Sequence, residues 1–253
     1  SEKELPKFPH KGGFHDSPVI IFGEFPKEKP PRGLYVASLD DYKQEEADSD
    51  SLGCFIIFKR QSGNDNRGDK IAAIYTSRPN PHSKFHRVGH MLLEAYNAEC
   101  LMENEDMSFK THLDTVHKTE EYLVPTFNIA GDITLKTNGR RTYGISPTGN
   151  KSAIISMAIN YCHKIYHFKD ADGTDYTVLG VEMIDDEMLL EEIINYKDGE
   201  NHDRITTFGI ALIQAHFLDT NYVVALLKEK QKTEVVRRDS QKKLFTTTRR
   251  GLF

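Results

Sequence analysis

The sequence predicts an α/β domain built on a mixed β-sheet flanked by helices. Three observations carry that expectation. Apolar runs at Leu34–Leu39, Leu52–Phe58 and Ile71–Tyr75 are joined by links of hairpin type, which makes an antiparallel meander. A run with helical spacing follows (Phe85, Val88, Leu92, with Met91 and Ala95). Then Ala98-Glu-Cys-Leu-Met-Glu reads as a short buried strand, so the order is βββαβ.

Each element has its own signal. Prolines at positions 6, 9, 18, 26, 30 and 31 break residues 1–33 into an irregular arm with one short apolar run at Val19–Phe22, expected to pack on or link to something. After the fourth strand, Met107–Val116 reads as a helix. Ile133–Tyr143 reads as a hairpin, because Asn138-Gly139 is a type I′ turn pair, and its tip carries Arg140 and Arg141. Thr148-Gly-Asn-Lys opens a helix with Ile154, Ile155, Ala158, Ile159 and Cys162 as its apolar positions. Glu182–Tyr196 reads as a helix preceded by irregular or strand-like chain, and a long apolar-striped helix starts at Asn201-His-Asp. No internal repeat is visible.

The 253 residues, 38% of them hydrophobic, suffice for one large domain or two small ones with a sizeable core. No apolar run approaches the roughly 18–20 residues of a membrane helix, and the first residues hold no apolar signal segment. The chain starts at Ser1, as a processed or excised piece would. Cys54, Cys100 and Cys162 lack Cys-x-x-Cys spacing, which argues against a disulfide framework or cysteine zinc site and fits a reducing compartment. The net charge of −5 hides an asymmetry: residues 228–253 carry nine Lys/Arg and three Asp/Glu, a balance of +6, leaving −11 on the remainder. This excludes a charge-driven coat for DNA.

Three acids stand where an α/β sheet gathers residues at one edge: Asp40 ends the first strand, Glu103 ends the fourth, and Asp203 begins the last long helix. Carboxylates brought together repel unless a cation binds, and such hard oxygen donors suit Mg²⁺ or Mn²⁺. Each acid also has a plain structural reading. Asp40 and Asp41 are turn formers, Glu103 can begin a solvated acidic loop with Asn104, Glu105 and Asp106, and Asp203 can be a helix N-terminal acid.

The joint order resembles the ribonuclease H-like nucleases, and within them the nuclease domain of the large terminase subunit of tailed bacteriophages. The matching segments are Tyr35-Val-Ala-Ser-Leu-Asp-Asp, Ala98-Glu-Cys-Leu-Met-Glu-Asn and Asn201-His-Asp-Arg-Ile-Thr-Thr-Phe-Gly-Ile-Ala-Leu, with Thr148-Gly-Asn-Lys-Ser-Ala-Ile between the last two. The similarity spans roughly residues 33–218. It implies that Asp40, Glu103 and Asp203 bind divalent metal, two ions of Mg²⁺ or Mn²⁺, for hydrolysis of double-stranded DNA to a 3′ hydroxyl. Asp50 resembles an auxiliary acid, with Asp48 as its rival, and His202 belongs to a His-Asp pair also seen in the family. The resemblance further implies cleavage of concatemeric viral DNA at the start and end of genome packaging, in the host bacterial cytoplasm. A terminase ATPase domain, a portal and a small terminase subunit are the implied partners.

The chain departs from that family at Arg204, where a second Asp is common, and after the first acid, where a glycine-rich turn is missing. It contains no Gly-x-x-x-x-Gly-Lys-Ser/Thr, the phosphate-binding loop of an ATPase. We therefore expect an arm or linker (1–33), a nuclease domain (34–227) and a basic tail (228–253). An acidic pocket needs cations around it to hold DNA, and the candidates are Lys136, Arg140, Arg141, Lys151 and the tail; a solubilising turn and a solvated tail are the plain alternatives. His82, His86 and His90 recur at i, i+4 on one helix face, a spacing that can hold zinc, but with no evident completing ligand a polar helix face is the preferred reading. His163 and His167 share the spacing but fall near an element boundary. Two other functions fit the same chain: another ribonuclease H-like DNA enzyme, such as a junction resolvase or transposase, and a non-catalytic module docking a portal or motor.

Overall fold

The computed structural model describes residues 16–42, 51–61, 68–125, 143–170, 172–198, 200 and 202–219. Its main sheet has five strands: β1 (Ile20–Ile21), β2 (Tyr35–Asp40), β3 (Gly53–Lys59), β4 (Lys70–Ser77) and β5 (Glu99–Met102). Their order in space is β1-β4-β3-β2-β5. The meander β2–β3–β4 is antiparallel, and β5 runs parallel to β2 after the crossover helix α1 (Ser83–Tyr96). This is the mixed sheet with βββαβ order that the sequence leads one to expect. The arm contributes to it as well, since Ile20 and Ile21 pair with Ile74 and Ala73 of β4.

Both faces of the sheet are covered, which explains why its strands read as near-continuous apolar runs. Side chains alternate along a strand. Ala37, Leu39, Phe55, Ile57, Ala73 and Tyr75 form one buried cluster with Phe85, Leu92, Leu93 and Tyr96 of α1 and Phe109 and Leu113 of α2 (Ser108–Thr115). On the opposite side, Leu101, Val124 and Ile145 pack with Ile154, Ile210 and Ile213. Ile154 lies on α4 (Pro147–His163), which follows the short α3 (Thr119–Tyr122). Each isoleucine fully buried there contributes about 1.5–3 kcal/mol.

Local chemistry sets the helix ends. Asn97, in the left-handed region at φ 47°, closes α1 while its N–H and that of Ala98 bond to Glu94 and Leu93 carbonyls. Pro147 opens α4, where a missing N–H costs nothing. Asp186 caps α5 (Glu187–Ile194), its carboxylate accepting the Leu189 N–H at 2.7 Å.

Two elements depart from expectation. Strands β6 (Ile165–Lys169) and β7 (Asp175–Leu179) form a separate hairpin in the stretch read only as irregular or strand-like. The helix expected from Glu182 starts at Glu187, because Gly180–Met183 forms a 3-10 turn first. The hairpin expected over 133–143 lies almost wholly outside the described residues.

The chain divides into two compact units, Ser1–Ala215 and His216–Phe253. All elements above belong to the first unit, which ends with a last helix, α6, over residues 203–215. Of the second unit only 216–219 are described, and they are helical. Among the described residues no helix is long and apolar enough to cross a membrane, and all three cysteines are buried and unpaired.

Candidate active site

Parallel pairing of β2 with β5 brings the first two acids together. Leu39 is in register with Met102, and the Glu103 N–H donates to the Leu39 carbonyl at 2.7 Å, so Asp40 and Glu103 leave the same sheet edge side by side. Asp40 follows Ser38 on the side of β2 that faces α4 and α6. There Asp203 opens α6, and its buried carboxylate accepts the Leu52 N–H at 2.8 Å and the Ser51 hydroxyl at 3.4 Å.

The electrostatics report the convergence. Burial, a hydrogen bond with Glu103 and the negative charges of Glu103 and Asp203 hold the Asp40 carboxyl well above its ordinary range. Glu103 is not part of a solvated loop: it pairs with Ile145 in a parallel bridge, and Asn104 beside it is buried. Nor is Asp203 simply an acid at a helix start, since it ties α6 to the chain entering β3.

The start of α6 is fastened by buried polar groups. Glu192 of α5 accepts the N–H groups of Arg204 and Ile205, each at 3.0 Å. Burial pushes its carboxyl up to about 7, with Asp203 adding to the rise against the lowering by those N–H donors. Arg204, where the resembled family often has Asp, turns to Asp186 at 2.6 Å, so it braces α5 against α6. Further along α6, the Gln214 amide accepts from the Leu101 N–H and donates to the Glu99 carbonyl, joining the helix to β5. Gly209 passes against the Ile154 backbone with no room for a Cβ.

Other expected residues fall elsewhere. Asp48, Asp50, Lys136, Arg140 and Arg141 lie outside the described residues. Lys151 is partly buried in the second turn of α4. The His202 ring packs on Tyr196 and meets the Lys197 backbone, so its polar contacts are with the preceding loop.

The polar-face reading of His82, His86 and His90 needs correction. His82 and His86 are buried, and both ring Nε2 atoms meet the carboxylate of Asp41 at 2.7 Å. Asp41 is the partner that sequence reasoning missed. Burial alone would raise its carboxyl, but the two histidines outweigh it and hold it below the ordinary range. His90 stands apart from this trio. Asp41 follows Asp40 directly, and alternation along β2 was the signal that it would face α1.

The βββαβ…α arrangement thus brings carboxylates from the ends of β2 and β5 and from the start of α6 to one end of a mixed sheet, a site of acidic oxygen donors. No protein-family model and no curated protein matches the chain. Among solved structures, the chain is similar to the zinc-bound large terminase nuclease of thermophilic phage G20c, at 13% identity and a TM-score of 0.46, over 78% of this chain and 89% of that one.

Proposed function

We propose that the chain is a metal-dependent DNA endonuclease acting through Asp40, Glu103 and Asp203. The observation that supports this best is the meeting of three carboxylates from distant parts of the sequence at one end of the sheet: Asp40 beside Glu103 in the β2–β5 register, and Asp203 held at the Leu52 N–H where the chain enters β3. Such crowding is relieved by a dication, and a donor set made only of carboxylate oxygens fits Mg²⁺ or Mn²⁺. Bound there, one or two ions would supply water activation and stabilisation of the leaving oxygen. The chain's own part is to hold and aim the donors. Leu52 and Ser51 orient Asp203, Glu192 fixes the first turn of α6, and the β2–β5 register sets Glu103 beside Asp40. Lys151, with Lys136, Arg140 and Arg141, would bring cations to the phosphates outside the acidic pocket.

In this reading the substrate is concatemeric viral DNA, cut at the initiation and termination of genome packaging in the host cytoplasm. A separate ATPase domain, portal and small terminase subunit deliver the duplex. The sequence resemblance supports that assignment. The test is supercoiled plasmid titrated with Mn²⁺ and Mg²⁺, with Asp40→Ala and Asp203→Ala beside the parent. Nicking that needs metal and both acids is expected. Nicking by the Asp203→Ala variant at the parental rate, or cleavage persisting in EDTA, would overturn the proposal.

A further inference from the structure

We infer that Asp41, His82 and His86 form a second cation site, of different chemistry from the carboxylate site and selective for zinc. The inference does not depend on the nuclease reading. It rests on three side chains from two elements whose donor atoms all lie within 4.8 Å of one another. His82 and His86 stand one turn apart at the start of α1, and their rings are 4.2 Å apart. Asp41 reaches them from the end of β2, with only 1% of its side chain exposed. Two imidazoles and one carboxylate match the three-ligand sets that hold zinc with a fourth position open. Imidazole nitrogen suits zinc and disfavours magnesium, so this donor set differs in metal preference from one made of carboxylates alone. Asp40 turns to all-oxygen company on the α6 side, and Asp41 to nitrogen donors on the α1 side.

Little movement is needed. Each Nε2 now contacts a carboxylate oxygen at 2.7 Å, whereas donors around tetrahedral zinc stand about 3.3 Å apart at bond lengths near 2.0–2.1 Å. Opening those two contacts to that spacing takes about 0.6 Å each. The imidazoles then bind as Nδ1–H tautomers, because Nε2 becomes the ligand atom. Tyr42, whose ring centroid lies 4.3 Å from that of His82, and Phe85 and Phe109 wall the site.

The test is zinc titration of chelator-treated protein by calorimetry, with an Asp40→Asn/Asp203→Asn variant that silences the carboxylate site. That variant is expected to keep a zinc equivalent which Mg²⁺ does not displace, and His82→Gln/His86→Gln added to it is expected to abolish that equivalent. As the histidine changes also remove hydrogen bonds, X-ray absorption at the zinc edge and histidine nitrogen NMR are recorded on the unsubstituted histidines. Two-imidazole scattering and a shift of both rings to the Nδ1–H tautomer are expected. Absence of zinc binding in the Asp40→Asn/Asp203→Asn variant, or bound zinc without imidazole scattering, would overturn the inference and show Asp41 to be a hydrogen-bonded clasp alone. Neither result bears on nicking by the parent, so the two proposals fail separately.

Discussion

Gly209→Ala tests whether the seating of α6 on α4 sets the position of the third acid. An added Cβ would lie 2.3 Å from the Ile154 carbonyl oxygen and 2.7 Å from its Cγ2. Restoring ordinary contact parts the two helices by about 1 Å. Overpacking of this kind costs about 1–3 kcal/mol, and alanine's better helix propensity returns about 1, leaving a net loss of up to about 2 kcal/mol. In a domain of this size that is a fall in Tm of up to roughly 8 °C. Asp203 lies six residues earlier on the same helix and moves with it. A displacement near 1 Å in a reacting constellation costs on the order of a hundredfold in rate. The assay pairs a thermal melt in EDTA with plasmid nicking in Mn²⁺. An alanine variant that melts with the parent and nicks at its rate would refute the claim that this contact positions Asp203.

Asp203→Asn is expected to abolish metal-dependent nicking yet melt near the parent in EDTA, because its amide oxygen still accepts the Leu52 N–H; Asp203→Ala should lose a further 1–3 kcal/mol, roughly, in urea denaturation. Glu192, raised from 4.5 to about 7, binds its proton more tightly folded than unfolded, so its contribution is present below pH 4.5 and lost as pH rises to 7. Glu192→Gln in EDTA should therefore flatten that decline, by up to about 3 kcal/mol at pH 8. Asp40 has the same sign, its carboxyl being raised, and Asp40→Asn should gain stability over the parent at alkaline pH in EDTA while losing its stabilisation by Mn²⁺. Arg204→Ala leaves Asp186 buried without its cation and should cost about 3–5 kcal/mol in chemical denaturation.

The sheet was legible because its strands are apolar on both faces and its first helix keeps a clear 3.6-residue period. Asp40, Glu103 and Asp203 were legible because each ends a strand or starts a helix, so topology alone sends them to one edge. The β6–β7 hairpin was harder: its strands are largely exposed, which weakens the apolar signal, although Asp172-Gly173 with Gly173 at φ 88° marks its turn. Asp41 was hidden by a different cause. Its partners lie about forty residues on, and only the pleat of β2, with Asp40 committed to one face, says that Asp41 must meet α1. Glu192 left no trace in sequence, since it reads as one more acid on an acidic helix until α6 docks over it.

The three acids also arrive at different times. A ribosome delivers β2 and β5 long before α6, and until α6 has closed over the sheet Asp40 and Glu103 face each other without the third carboxylate. On the proposed reading the third carboxylate therefore comes from the last helix of the first unit to be synthesised, and Gly209 is what lets that helix lie against the Ile154 backbone of α4.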